Sequence, residues 1–455
     1  MKTPDAPTLI SEPLPTTDTK TRSLIGLRSA SLIVIANMIG AGVFGITGEL
    51  AISTPSHPAL LISWVIGGIM ALCGALSYGE LAARFPRSGG EYLFLSKLYH
   101  PSLGFTSGFV SLVVGFSASI AANASIFGIY LTTVFPELNA TYLAIGLVSF
   151  LTLVHAFNVK YGVAFQDAFA SLKIMLILVF ISAGLFWFEV PVDAVPIRVL
   201  PDAADWSLIL NGAYAVGLVS IFYAYLGWNA SVYLTGEVRN SRRNVPLSLV
   251  IGSVTVTCLY LLLNYVFLRT VPLESLTGKV EIGALSATAI FGTPVGKILS
   301  GLIAFALVSS CSSMVMAGPR VTQSIGEDYK LFQIFSKRTS DGGPVYALLA
   351  QWIIAMVMLL TASFWDILSY IGFTLSIFAS LAVFGVYVAR IQAKHTVYTG
   401  YKTWGYPVTP AIFIALSLWM VVHSLTNNPT IAFWGCGTLV AGLGLYAATK
   451  YLDTD

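Results

Sequence analysis

The chain has 455 residues, of which 56% are hydrophobic and only 10% charged, with a mean hydropathy of +0.80 and a formal net charge of +3. That composition excludes a soluble globular domain. Instead it suits repeated membrane spans, each needing about 20 apolar residues to cross a hydrocarbon core of about 30 Å.

Residues 1–24, rich in Thr, Pro and Ser, are expected to form a disordered cytoplasmic tail. Because this polar stretch precedes the first apolar run, that run is expected to be retained rather than cleaved as a signal peptide. Apolar runs predict spans over 29–48, 59–80, 104–134, 141–158, 164–188, 207–235, 247–268, 298–319, 345–362, 367–389, 408–425 and 430–449. The expectation is therefore an all-α integral membrane protein with 12 transmembrane helices. Residues 25–391 make a ten-helix core of two repeats, about 25–190 and about 205–391. Residues 392–450 carry helices 11 and 12, and residues 451–455 are a cytoplasmic C-terminus. Basic residues sit in the tails and even-numbered connections, while the opposite side has Arg198, Arg269, Lys279 and Lys297. That bias predicts both termini in the cytoplasm of a cell bounded by a plasma or inner membrane. Topology accounts for the net charge, so no nucleic-acid partner is inferred.

The first span contains Gly40-Ala41-Gly42-Val43-Phe44 at its middle. Gly40, Gly42 and Gly45 satisfy the GxGxxG spacing of dinucleotide sites, but the context is an apolar helix rather than a strand-turn-helix, which excludes that reading. Two readings stay open: close helix packing through small residues, and a break that exposes backbone groups to a solute. The sixth span carries a comparable interruption, Phe222-Tyr223-Ala224-Tyr225-Leu226-Gly227-Trp228-Asn229. Two breaks five spans apart are what an inverted repeat of five plus five helices produces, with the solute held between them at mid-membrane.

Such a pair suits a zwitterion. Amides of Gly40, Ala41 and Gly42 are placed to meet a carboxylate. Carbonyls at Asn37 to Ile39 and Phe222 to Tyr225 are placed to meet an ammonium. With no charged side chain adjacent in sequence to either break, the solute side chain is expected to be neutral. The candidate substrate-binding residues are Ile39, Gly40, Ala41, Gly42, Val43, Phe222, Tyr223, Tyr225, Gly227, Trp228 and Asn229.

These residues resemble the amino acid, polyamine and organocation (APC) superfamily of permeases. The resemblance extends through Ser77-Tyr78-Gly79-Glu80-Leu81-Ala82, Pro86-Arg87-Ser88-Gly89-Gly90-Glu91-Tyr92, Glu237-Val238-Arg239-Asn240, and Tyr401-Lys402-Thr403-Trp404-Gly405-Tyr406-Pro407. It implies a LeuT-type fold with alternating access, nearest to sodium-independent L-type and serine/threonine exchanger-like members. Two departures stand out: Ala41 replaces the serine common between the helix 1 glycines, and Gly236-Glu237 replaces a paired acidic motif. The resemblance also implies that Tyr223 closes over the substrate.

Lys173 lies about nine residues, or about 13 Å, into the fifth span. It is too deep for its stem to reach the interface comfortably, and an ionisable group there is expected to be functional. Family likeness implies that its ammonium stands where sodium sits in other members, facing helix 8. Ser310 and Ser313 are its expected partners, and the lysine is expected either to exchange a proton during transport or to remain a fixed charge. Glu80, Glu237 and Arg320 are candidates for a cytoplasmic gate, with interfacial solvation as the competing reading. Cys73, Cys258, Cys311 and Cys436 have no metal-ligand spacing and none suits a disulfide to an ancillary subunit. No metal, cofactor or obligate subunit is therefore expected, and with no paired carboxylates, metal cluster or nucleophile with a nearby base in the spans, an enzyme is not expected. The expected activity is sodium-independent transport of a neutral L-amino acid by exchange or proton symport. A polyamine or amine permease, and a non-transporting amino acid sensor, are the alternatives.

Overall fold

The structure, a computed structural model, describes residues 25–157, 162–189, 197–337, 344–394 and 398–452. The expected tail at 1–24 and residues 453–455 lie outside these ranges. In chain order the first helices are α1 (Leu27–Met38), α2 (Gly42–Ser53), α3 (His57–Arg84), α4 (Glu91–Leu98), α5 (Pro101–Val110), α6 (Ser119–Val134), α7 (Ala140–Phe157), α8 (Gly162–Phe186) and α9 (Ala203–Ile209). They continue as α10 (Gly212–Tyr225), α11 (Ser241–Thr270), α12 (Leu273–Leu276), α13 (Ile282–Phe291), α14 (Thr293–Asp328), α15 (Val345–Thr361), α16 (Phe364–Gln392), α17 (Val408–Asn427) and α18 (Pro429–Leu452). A π-helical stretch at Ser111–Ala118 joins α5 to α6, and a 3-10 helix at Ala230–Glu237 follows α10. Among the described residues the one extended pairing is an isolated bridge between Ile25 and Val238.

Among the described residues, ten helical segments are long and apolar enough to cross a membrane. The spans expected at 141–158 and 345–362 coincide with the shorter apolar helices Ala140–Ala156 and Val345–Thr361. The chain is a multi-pass membrane protein. Its outward faces are apolar, as on α8, where Met175, Leu178, Val179 and Phe186 are exposed. The sixth span differs from expectation at its start: α9 ends at Ile209 and Asn211 begins a new helix, its side chain accepting from the Ala213 amide. Asparagine at this position supplies a missing acceptor for a free helix-start amide.

The core brings α3 along α11 and α6 along α14, with α1 packed against both α8 and α11. Two close approaches position the site. A Cβ on Gly42 would lie 2.7 Å from the Ala224 Cα, so only glycine lets α2 and α10 meet there. Gly227 has φ +99° and would place a Cβ 2.7 Å from the Asn37 carbonyl carbon, so it brings the sixth-span break directly against the end of α1.

Candidate functional site

Backbone groups freed by a break inside a membrane must find partners from neighbouring helices. At the first break, α1 ends at Met38 and α2 begins at Gly42. Lys173 of α8, 3% exposed, donates from Nζ to the Ile39 carbonyl at 2.9 Å, to Ser310 Oγ of α14 at 2.7 Å and to the Ala36 carbonyl at 3.4 Å. Ser310 Oγ in turn donates to the same Ile39 carbonyl at 3.1 Å. One ammonium thus ties the fifth and eighth spans to the unwound turn of the first. Ser313 does not join this cluster; its hydroxyl donates to the Ser309 carbonyl one turn back, at 2.9 Å.

Other freed groups are held as well. The Tyr260 hydroxyl of α11 lies 2.6 Å from the Met38 carbonyl oxygen and 3.1 Å from that of Ala224, spanning both breaks with one side chain. The Ala41 amide donates to Asn123 Oδ1 of α6 at 2.9 Å, while the Gly40 amide turns back to the Met38 carbonyl at 2.8 Å. These bonds change the expected chemistry. The carbonyls of Met38 and Ile39, expected to receive a solute ammonium, are taken by Tyr260, Lys173 and Ser310. The Asn123 side-chain carbonyl already stands where a solute carboxylate was expected to meet Ala41. Ile39 and Val43 are fully enclosed at 1% and 0% exposure.

At the second break, Gly227, Trp228 and Asn229 line a cavity of about 900 Å³ together with Asn37, Ser119 and Ser313. The cavity extends to Ser88 in the loop after α3, to Glu237 at the end of the 3-10 helix, and to Arg320 within α14. Trp228 is wedged between Tyr78 and Phe413, with ring centroids 4.6 and 6.0 Å away. Tyr225 and Phe222 are turned from the cavity: the Tyr225 hydroxyl donates to the Trp64 carbonyl at 2.8 Å, and the Phe222 ring packs against Phe413. Tyr223 is 6% exposed and is not among the cavity walls.

The three charged gate candidates separate. Glu237 and Arg320 meet at 3.8 Å, both about half exposed, at the cavity mouth. Glu80 lies elsewhere. Fully buried, it accepts from Arg84 at 2.7 Å, from Arg390 of α16 at 2.7 Å and from the Thr403 amide at 2.8 Å, locking α3 and α16 to the segment before α17. The long reach to Arg390, 310 positions away, is what sequence reading could not supply.

Sequence reasoning also missed Asn123, Tyr260 and Glu91. Glu91, at the start of α4, is 6% exposed and lines the cavity. Its Oε1 accepts from the Tyr78 hydroxyl at 2.6 Å and from Asn229 Nδ2 at 3.3 Å. A carboxyl therefore does lie beside the second break, supplied from 138 positions earlier in the chain. A polar residue within an otherwise apolar run was the available signal for Asn123, and for Glu91 it was its place in the Pro86–Tyr92 motif, which does not reveal its contact with Asn229. Among the described residues no group of His, Cys, Asp and Glu could hold a metal ion.

Comparison with known proteins matches residues 25–440 to the amino acid permease family. The chain is 26% identical over 451 residues to the b(0,+)-type amino acid transporter 1 of Mus musculus, covering 96% of this chain and 90% of that protein. It is 27% identical over 448 residues to the serine/threonine exchanger SteT of Bacillus subtilis (strain 168), covering 96% and 98%. Against the large neutral amino acids transporter small subunit 2 of Homo sapiens it is 26% identical over 455 residues, covering 94% and 80%. These relatives are transporters, not enzymes. With its broken first and sixth spans enclosed by apolar helices, and a match over nearly its whole length, this chain belongs to the amino acid permease family of the APC superfamily.

Proposed function

We propose that this chain is a sodium-independent secondary transporter of a neutral L-amino acid, moving it across the cell membrane by alternating access, as an exchanger or proton symporter. The observation that carries the reading is Lys173. Its ammonium bridges the Ile39 carbonyl and Ser310 Oγ, so the protein's own cation neutralises the freed acceptors between the first and eighth spans. A resident positive charge at that point removes the need for a bound monovalent cation. Transporting relatives named for neutral amino acids and for serine/threonine exchange support the substrate class and the exchange mode.

The fold we infer has 12 spans with a five-plus-five inverted repeat. Its support is the pairing of the second expected span with the seventh (α3 with α11) and of the third with the eighth (α6 with α14), around breaks in the first and sixth. The cavity mouth at Glu237 and Arg320 is assigned to the cytoplasmic side with both termini, following the basic-residue bias. In this reading a substrate carboxylate exchanges with Asn123 Oδ1 for the Ala41 amide, and its side chain enters the space lined by Gly227, Trp228 and Ser119. Substrate transfer needs no covalent step; differential binding to the two access states suffices. No disulfide-linked ancillary subunit is proposed, since the four cysteines lie within α3, α11, α14 and α18.

Counterflow in proteoliposomes tests the proposal. Labelled leucine or serine should accumulate in vesicles preloaded with unlabelled neutral amino acid, equally in sodium and in choline buffer. Absence of accumulation from a neutral panel, or strict dependence on sodium, would reject it.

A further inference from the structure

We propose that Glu91 and Asn229 form a second, inner subsite in the cavity that accepts the primary ammonium group of a solute, separate from the amide contacts at the first break. The inference builds on the reading of the breaks as a transport site, and its test is arranged so that the two can fail separately.

An ammonium inside a protein requires two or three oxygen acceptors to replace its water. At the first break the carbonyls of Met38 and Ile39 are already engaged by Tyr260, Lys173 and Ser310. At the second break the Tyr223 carbonyl accepts from the Leu226 amide, and the Ala224 carbonyl shares the single Tyr260 proton with the nearer Met38 carbonyl. Glu91 is different. Both of its hydrogen bonds fall on Oε1, and among the described residues Oε2 has no protein partner, while the residue lines the cavity. A carboxylate that is 6% exposed, without a salt bridge among the described residues, is a rare feature because its desolvation is not offset by a cation. The same charge that is costly alone becomes favourable when a cation arrives.

The one basic side chain among the described residues of the cavity wall, Arg320, is paired elsewhere. From α3 the facing titratable group is Tyr78, and from the 3-10 helix it is Tyr233, whose hydroxyl lies 3.5 Å from Asn229 Nδ2. The charged groups of the cavity wall are Asp167 of α8, Glu237, and Arg320 and Glu327 of α14. Arg320 is paired with Glu237. On the α16 side the wall is Leu375 and Ala379, and Arg390 of that helix is committed to Glu80. Asn229 adds its amide oxygen as a second acceptor, because its bonds to Glu91 and Tyr233 use Nδ2. Glu91, Asn229 and Tyr233 are thus linked through Asn229 Nδ2 along one stretch of cavity wall.

Burial pushes the Glu91 carboxyl up to about 7, against the bonds from Tyr78 and Asn229, which lower it. Only the ionised form accepts an ammonium, so a cation and a proton compete for the same oxygen. Affinity for a cation that stays charged should therefore fall about tenfold from pH 8 to pH 6.

The probe is n-butylamine, which carries an ammonium and an alkyl stem but no carboxylate for the first break. Thermal shift of the purified full chain in detergent should show stabilisation by n-butylamine, with an apparent affinity about tenfold weaker at pH 6 than at pH 8. Glu91→Gln should abolish that response at both pH values, and Glu91→Asp should restore part of it. The proposal is overturned if the wild-type chain gives no response, if its response is the same at both pH values, or if Glu91→Gln retains it. Should Glu91→Gln fail to fold, the wild-type pH series decides alone. Leucine, tested on the wild-type chain in parallel, reads the transport site itself. Stabilisation by n-butylamine without stabilisation by leucine would count against the proposed substrate and leave the inner subsite standing.

Discussion

Glu80 and Glu91 flank one short loop, and both are buried, yet they are held in opposite ways. Glu80 is met by two guanidinium groups and a backbone amide, and it fastens α3, α16 and the segment before α17 together. Glu91 is met by a phenol and an amide alone and opens onto the cavity. The contrast separates a structural carboxylate from one available to a ligand. Burial does not distinguish them; the number of cations within reach does.

The largest effect is expected at the structural member of the pair. Glu80→Gln would leave Arg84 and Arg390 facing a neutral amide in a buried knot, costing about 3–5 kcal/mol and lowering the melting temperature in detergent. A change within error would show that the knot is not what joins those helices. Glu91 predicts a smaller effect with a distinctive pH profile. The folded carboxyl, raised from 4.5 to about 7, holds a proton that the unfolded chain releases, so its contribution is fully present below pH 4.5 and lost as pH rises through about 7. Between pH 5.5 and pH 8 the wild-type chain should lose on the order of 2 kcal/mol relative to Glu91→Gln. Parallel melting curves for the two proteins would erase the distinction drawn above.

Tyr260→Phe sharpens the comparison from another side, since its hydroxyl serves the backbone of both breaks. Removing the one proton that the two carbonyls share, chiefly from the nearer Met38 carbonyl, should cost about 1–3 kcal/mol, with a larger loss of counterflow than of folded protein. Unchanged transport would mean that the breaks tolerate rearranged partners. The smallest effect belongs to Glu237→Gln: its pair with Arg320 is half exposed at 3.8 Å, so stability should change by less than about 1 kcal/mol. A large loss there would make the mouth, rather than the Glu80 knot, the principal charged fastening on that side.

Much of this molecule is legible in sequence because the bilayer enforces it. Apolar runs mark the ten described segments long enough to cross a membrane, and mid-span glycines mark both breaks at Gly40–Gly42 and Gly227. Lys173 was conspicuous for its depth alone. What sequence did not reveal is who satisfies the freed backbone. Tyr260 looks like any aromatic in an apolar helix, and its bond to Met38 spans 222 positions. Glu80 and Glu91 carry no local mark of their different surroundings, since one finds Arg390 and the other Asn229 only after the helices assemble. Phe222 and Tyr225 were assigned to the solute because they adjoin the break, whereas helical rotation turns them into the packing.

We propose that a resident ammonium at Lys173 supports transport at the first break. Counterflow of labelled leucine in sodium-free proteoliposomes, comparing the wild-type chain with Lys173→Ala at matched protein incorporation, tests it most directly. Robust wild-type exchange is expected, and for the variant either loss of flux to the background of empty vesicles or a shifted pH dependence. Full flux by Lys173→Ala, unchanged between pH 6 and pH 8, would contradict it.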